Sequence, residues 1–378
     1  VLRLLFPLLL LACTSAGAAS LAKPSRYAPA PVAVCPGVLA DATGTTGASR
    51  ALQQCLDTTP SPWTIPPGVY ALDAALTIRR PIAVYAHGAT FKAQRDIIGT
   101  FGGHTMVFSG YMSGVRLTGL TLDGNLPERA GAWFCNGTND AYAGGNIHFD
   151  HVDDVVLDGV TTRDAVCGSG MHFSGKRARI VNSVFERNGT HRSNQWADGL
   201  TLLNCDDCTV TGNRFTDNSD VGLVFGGGER TLVADNLFEQ ATPIFAALAL
   251  DNFNGSQSGS FVGTVVTRNT IDCRNLQCDF GMNLGPRAWY LSANIRGGTV
   301  QGNTITGAKI GVLAGGAGTP ADPMMLQDNT VVSLMAPGTM ASFSCGFRST
   351  FPRITSPSSV IQVPKDAPGV STVHELCP

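Results

Sequence analysis

Seven apolar-x-apolar triplets recur along this chain at irregular spacings of about two to three dozen residues. They are Ile147-His148-Phe149, Met171-His172-Phe173, Leu200-Thr201-Leu202, Leu223-Val224-Phe225, Leu248-Ala249-Leu250, Met282-Asn283-Leu284 and Val312-Leu313-Ala314. Each reads as a short strand, and repetition at this period stacks the strands in parallel, because one such unit cannot bury its apolar face alone. Second series run between them, such as Val155 to Val160, Thr209 to Phe215 and Gly298 to Ile305, so each coil of the solenoid carries several strands. The 44 Gly, 21 Pro and only 14% charged residues in 378 suit many tight turns around one long apolar core.

A net charge of −2 gives no basic field for duplex nucleic acid. Arg3, the apolar run Leu4 to Ala12 and small residues through Ala19 have the form of a secretion signal over residues 1–19. That run is too short for a membrane span. Leu10-Leu11-Ala12-Cys13 also partly matches a lipoprotein box, so a lipid anchor at Cys13 is the alternative to a soluble secreted, periplasmic or cell-surface protein. Ten cysteines follow the signal, and an even number in an exported chain implies disulfides. Pairing of neighbours joins Cys35 to Cys55, Cys135 to Cys167, Cys205 to Cys208, Cys273 to Cys278 and Cys345 to Cys377. Cys205-Asp206-Asp207-Cys208 also fits half of a metal or redox site, though no second Cys-x-x-Cys completes it.

After a lead over residues 20–37, Ala48, Ala51, Leu52, Cys55 and Leu56 fall at helical spacing and predict one short amphipathic helix. Such a helix could plug the open end of a solenoid, which needs a cap to stay soluble. Ala51-Leu52-Gln53 with Ile65-Pro66-Pro67-Gly68-Val69-Tyr70, then Leu117-Thr118-Gly119-Leu120-Thr121-Leu122-Asp123-Gly124-Asn125, resembles the entry to right-handed parallel β-helix proteins of the pectin-lyase-like superfamily. The likeness covers roughly residues 38–335 and implies an all-β fold. Asn182, Asn213, Asn236, Asn269, Asn303 and Asn329 are similar to that superfamily's stacked asparagine turns, in which side-chain amides bond along the stack. Residues 336–378 lose the repeat and read as a tail packed on the last coils. A fold of this kind names no reaction.

Strand alternation puts Met171, Phe173, Leu200 and Leu202 in the core and His148, His172, Thr201 and Val224 outside. Rungs about 4.8 Å apart bring His148 and His172 within touch. Gly170, Gly199, Gly222, Ala247 and Gly281 share one register, and form either a smooth outer strip for a sugar chain or a bend at each strand's start. Asp198, in Trp196-Ala197-Asp198-Gly199, and Asp220, in Ser219-Asp220-Val221-Gly222, fall at one strand edge on consecutive coils. This resembles the paired aspartates of polygalacturonases, in which an acid and a base or nucleophile hydrolyse the glycosidic bond. Val221 stands where that family has its second acid, and the family's Gly-His-Gly and Arg-x-Lys elements have no counterpart. One rung plus a one-residue offset spaces the two backbones by about 6 Å, between the retaining and inverting ranges. Turn capping by both aspartates is the structural alternative.

The polar loop Glu186 to Trp196 offers Arg187, His191, Arg192, Gln195 and Trp196 as substrate-binding groups, with Trp196 stacking on a ring and an Arg pairing a uronate. Asp251 and Asn283 supply polar groups on later coils. The expected ligand is a polysaccharide or oligosaccharide, and hydrolysis needs no cofactor. A lyase or C5-epimerase working on a uronan through His148, His172, His191, Arg187 and Arg192 is the second reading, with calcium on Asp198 and Asp220 if a lyase. A non-catalytic, adhesin-like glycan-binding solenoid is the third.

Overall fold

The computed structural model describes residues 31–98, 105–129, 135, 144–193, 195–286, 293–319 and 321–333, with short strands at 347–349, 354–355, 360–364 and 371–372. The signal segment and the Cys345 and Cys377 pairing lie outside the described residues. Three strands per coil build three long parallel sheets of 11, 13 and 11 strands, with a small antiparallel pair at the start. One coil runs from Ile147–Asp153 in the front sheet to Val156–Asp158 in the second and Thr161–Arg163 in the third, then returns to the front at Gly168–Ser174. The triplets pair as their pattern requires: Met171 lies opposite Ile147 and Leu200, and Leu223 lies opposite Leu200 and Leu248.

The turn from the second to the third sheet holds one residue at positive φ on each coil, including Gly159, Asn182, Gly212, Asp235 and Gly302. That conformation costs Gly nothing and Asn or Asp little, which is why these types recur there. The next residue points inward and builds the ladder. Asn213, Asn236, Asn269 and Asn303 each pass a side-chain N–H to the next Oδ1 at 2.8–2.9 Å, ending at Asn329, which donates to Val300 O. Asn182 is not a member: its register is the exposed turn position, where it donates to Asp158, and Ser183 takes the ladder site with its N–H on Asn213 Oδ1. Beside the ladder Phe185, Phe215 and Phe238 stack at 4.8 and 4.6 Å, one rung apart.

The expected helix spans Ser49–Thr58 and buries Leu52, Cys55 and Leu56 against the first coils. Its Cys55 is bonded to Cys35. Cys35 ends the strand Val32–Cys35, which pairs antiparallel with Val38–Ala40, and Trp63 Nε1 donates to Val34 O at 2.7 Å. The cap therefore begins before residue 38, because a disulfide and an indole bond hold the last part of the Pro-rich lead. Cys135–Cys167, Cys205–Cys208 and Cys273–Cys278 are also disulfides, so Cys205 and Cys208 form neither a metal nor a redox half-site with free thiols. Four disulfides suit an oxidising compartment. No helix among the described residues is long and apolar enough to cross a membrane.

The coil also continues past residue 335. Phe347–Ser349, Ile354–Thr355 and Val360–Pro364 each add a strand to one of the three sheets. The Ser- and Pro-rich composition hides this coil, since its strands are only two to five residues long.

Candidate functional site

The site sits on the front sheet, where each strand bends as it enters. Regular pairing there skips Gly170 and Gly199: Ser169 pairs with Asp198, and Met171 with Leu200. The glycines face inward, which excludes the outer strip. A Cβ on Gly199 would lie 2.5 Å from Gly222 O and 2.8 Å from the Asn218 amide, and one on Gly222 would lie 3.0 Å from the Phe238 ring. Ala247 belongs to the main core. The bend turns the residue before each glycine outward, so Ser169 and Asp198 share the outer face with His172 and Thr201.

Asp198 is held by that face. The Thr201 hydroxyl donates to Asp198 Oδ2 at 2.6 Å, and Ser169 Oγ lies 2.5 Å from Thr201 Oγ1. Continuing the register of Leu200 with Leu223 puts Val221 beside Asp198 and Asp220 one residue earlier. Asp220 is fixed through its backbone, with its N–H on Ala197 O and its carbonyl accepting from Phe245 N. Dense packing and the nearby Asp220 charge raise Asp198 well above the ordinary carboxylate range, against the Thr201 and Val221 bonds that favour its ionised form. Burial raises Asp220 to about 6, partly offset by His191. Burial makes both carboxyls harder to ionise, and the Asp220 charge adds to this for Asp198.

Outward alternation brings His148 and His172 together as expected, ring on ring at 4.6 Å with 2° between planes. Phe108 stacks on the other side of His148 at 5.6 Å. Solvent exposure is where the expectation fails: His148 is 5% and His172 6% exposed. Burial first and the adjacent His148 second push His172 down to about 3, with Asp150 opposing. His172 is therefore neutral in the physiological range and a weak base. Farther along, the outer row turns apolar. Val221, Val224, Ala246, Ala249, Phe280, Ile310 and Leu313 form a second buried cluster, with Phe245 and Phe253 packed on it. Val221 belongs to this cluster.

The polar loop is a β-hairpin: Gly189–Thr190 pairs antiparallel with the start of Gln195–Leu203, across a 3-10 turn at His191–Ser193. His191 Nε2 meets Pro243 O at 2.7 Å, latching the hairpin to a later coil beside Asp220. Trp196 meets the His191 ring edge-to-face at 5.8 Å and remains 50% exposed. Arg192 is exposed on the same turn. Other expected ligand groups are placed elsewhere. Arg187 sits at a third-sheet turn, paired with Asp164 at 3.2 Å and Glu186 at 2.9 Å. Gln195 is buried in the hairpin base. Asp251 is buried and caps its own turn, accepting from Asn252 N and Phe253 N. Asn283 is fully buried and donates to Gly285 O. Asn188 is likewise buried, bonded to Asn218. Ser169 and Thr201 are the site residues that sequence reasoning missed; Thr201 carried a signal as an outward polar residue in register with His172.

Among the described residues no three His, Cys, Asp or Glu side chains gather as a metal site. No curated protein matches the chain. An exopolygalacturonase from Thermotoga maritima is similar in structure at a TM-score of 0.51 and 15% identity, over 86% of this chain and 90% of that one. The A-module of an Azotobacter vinelandii mannuronan C-5 epimerase gives 0.50 and 15%, over 82% and 89%. The pre-mature gene product 12 of bacteriophage phi29 gives 0.52 and 11%, over 78% and 44%. At these identities the likeness speaks for the fold alone. The family described as "Right handed beta helix region" matches residues 113–322, more than half of the sequence, and with the three-sheet coil on the page the chain belongs to that family and has a pectin-lyase-like fold.

Proposed function

We propose that this is a secreted carbohydrate-active enzyme that hydrolyses a glycosidic bond of a polysaccharide with Asp198 and Asp220. The observation that carries the reading is the paired titration of the two carboxyls: Asp198 is raised well above its usual range and Asp220 to about 6. A glycosidase needs one carboxylic acid that keeps its proton at working pH and one carboxylate that does not. Asp198 fits the acid, delivering its proton to the leaving oxygen, and Thr201 orients it. Asp220 fits the base or nucleophile, and the nearby His191 favours its ionised form. Trp196 offers an exposed ring for a sugar face, and Arg192 a cation for a uronate. Structural similarity to an exopolygalacturonase is in keeping with this reading.

The lyase or epimerase reading asks His148 and His172 to take a proton. Their burial and the drop of His172 to about 3 count against it. The test is incubation of the mature protein with acidic and neutral polysaccharides, following new reducing ends and the ultraviolet absorbance of unsaturated uronates. Reducing ends without absorbance, unaffected by calcium chelation and lost in Asp198→Asn and Asp220→Asn, support hydrolysis. Absorbance with reducing ends, or a calcium requirement, supports a lyase, and binding without any turnover supports a glycan-binding solenoid.

A further inference from the structure

Tyr111 and His151 occupy turn positions at the far end of the front-sheet strands, at φ 52° and 53°. Gly110 pairs with Asp150 and Met112 with Val152, so the two rings stand opposite each other on consecutive coils. They stack at 4.8 Å with 5° between planes. Tyr111 is 79% exposed and the His151 side chain 64%. An aromatic pair left this far in water forgoes the burial that normally places such rings inside.

The His151 ring is braced rather than loose. Its Nδ1 lies 2.8 Å from Asp150 Oδ1, which also accepts from Ser174 Oγ at 2.9 Å, while Ser174 Oγ accepts from His151 N at 2.8 Å. Phe149 pairs with Phe173 but Val156 with Arg179, so the earlier coil carries one extra residue between them: Gly175 lies against Val152, and His151 has no counterpart on the next coil. Gly175 cannot carry a side chain: its φ is +145°, and a Cβ would lie 2.2 Å from Val152 O. The aromatic stack therefore ends at an unfilled step, with one face of His151 turned to it and Asp150 at its edge.

We infer that this step is a distal subsite in which a pyranose ring of the substrate glycan stacks on His151 as the next member of the Tyr111–His151 ladder; the inference rests on the carbohydrate reading above. A rung spacing of about 4.8 Å matches the thickness of one stacked ring. Asp150 takes hydroxyl hydrogens at the rim. Two rungs and six residues separate His151 from Asp198, roughly 22 Å at ordinary strand spacings. One extended chain can reach both points along the same sheet.

The test is affinity electrophoresis of the full chain carrying Asp198→Asn and Asp220→Asn, in gels containing polygalacturonate, alginate or xylan. At least one polysaccharide should retard it. Adding His151→Asn, which suits a left-handed turn, should weaken that retardation roughly 2- to 10-fold, the range for loss of one aromatic stacking contact. His151→Tyr should keep it, and unchanged circular dichroism excludes misfolding as the cause. Undiminished retardation in His151→Asn, or no retardation by any of the three, overturns the subsite. Reducing-end release by the unmodified chain separates the two ideas. Turnover with retardation indifferent to His151→Asn overturns the subsite alone. Retardation lost in His151→Asn without turnover supports the subsite and overturns hydrolysis.

Discussion

Replacing Asp220 with Asn should make the protein more stable while abolishing turnover. In the fold Asp220 titrates at about 6, against 3.8 for an ordinary aspartate. A group whose folded pKa is raised binds its proton more tightly in the native state, so between those two values the native form holds more protons than the unfolded one. Stability therefore falls as pH rises through that window. The penalty is absent below pH 3.8, grows toward pH 6 and is complete above it. At about 1.4 kcal/mol per pKa unit the ceiling is ~3 kcal/mol, and partial exposure of the carboxyl with its coupling to Asp198 brings the expectation to about 1–3 kcal/mol. Asparagine keeps the shape and removes the charge. Urea unfolding of both proteins between pH 4 and 8 reads the difference: the curve of the Asp220→Asn protein should lie with the wild type at pH 4 and above it from pH 6. An Asp220→Asn protein no more stable than wild type at pH 7.5, or a gap of constant size across the range, would refute the claim that burial strains this carboxylate.

The ladder gives a second expectation. Asn236 makes two side-chain donations, to Val210 O and Asn269 Oδ1, and accepts two bonds from Asn213. Asn236→Ala should cost about 3–5 kcal/mol in urea unfolding, whereas Asn182→Gly, at a turn with one exposed bond, should cost under ~1 kcal/mol. Gly199→Ala forces a methyl toward Gly222 O and should destabilise by about 1–3 kcal/mol. It also displaces the adjacent Asp198, so any turnover should drop by more than the folded fraction does. Removing the Cys35–Cys55 bond as a double Ala variant should lower stability by ~3 kcal/mol for a loop of this length, with limited proteolysis cutting first around the capping helix.

Much of the architecture was legible because a parallel coil repeats one local problem. Triplet strands and the residue at positive φ recur once per turn, the inward Asn recurs on the five coils from Asn213 to Asn329, and the same side chain stacks on itself. Cysteines near in sequence also proved near in space, since adjacent turns are the only neighbours a solenoid has. The candidate site was legible only as a placement of neighbours: Asp198 and Asp220 fall on consecutive rungs, and His148 stacks on His172. Its chemistry was not. Alternation predicts which way a side chain points but not what covers it, so the histidines read as solvated when they are buried. Likewise the glycines read as a possible outer strip until the bend turned them inward.

Sequence alone therefore determined the periodic things: several strands per coil, the capping helix, the ladder residue types and the carboxylate pair on consecutive rungs. Tertiary structure decided the rest, because protonation depends on desolvation and on charges from other coils. It raised both carboxyls by burial, pushed His172 down, and committed Asp251, Asn283 and Arg187 to structural bonds. It also left Trp196, Tyr111 and His151 in the open, where a ligand can meet them.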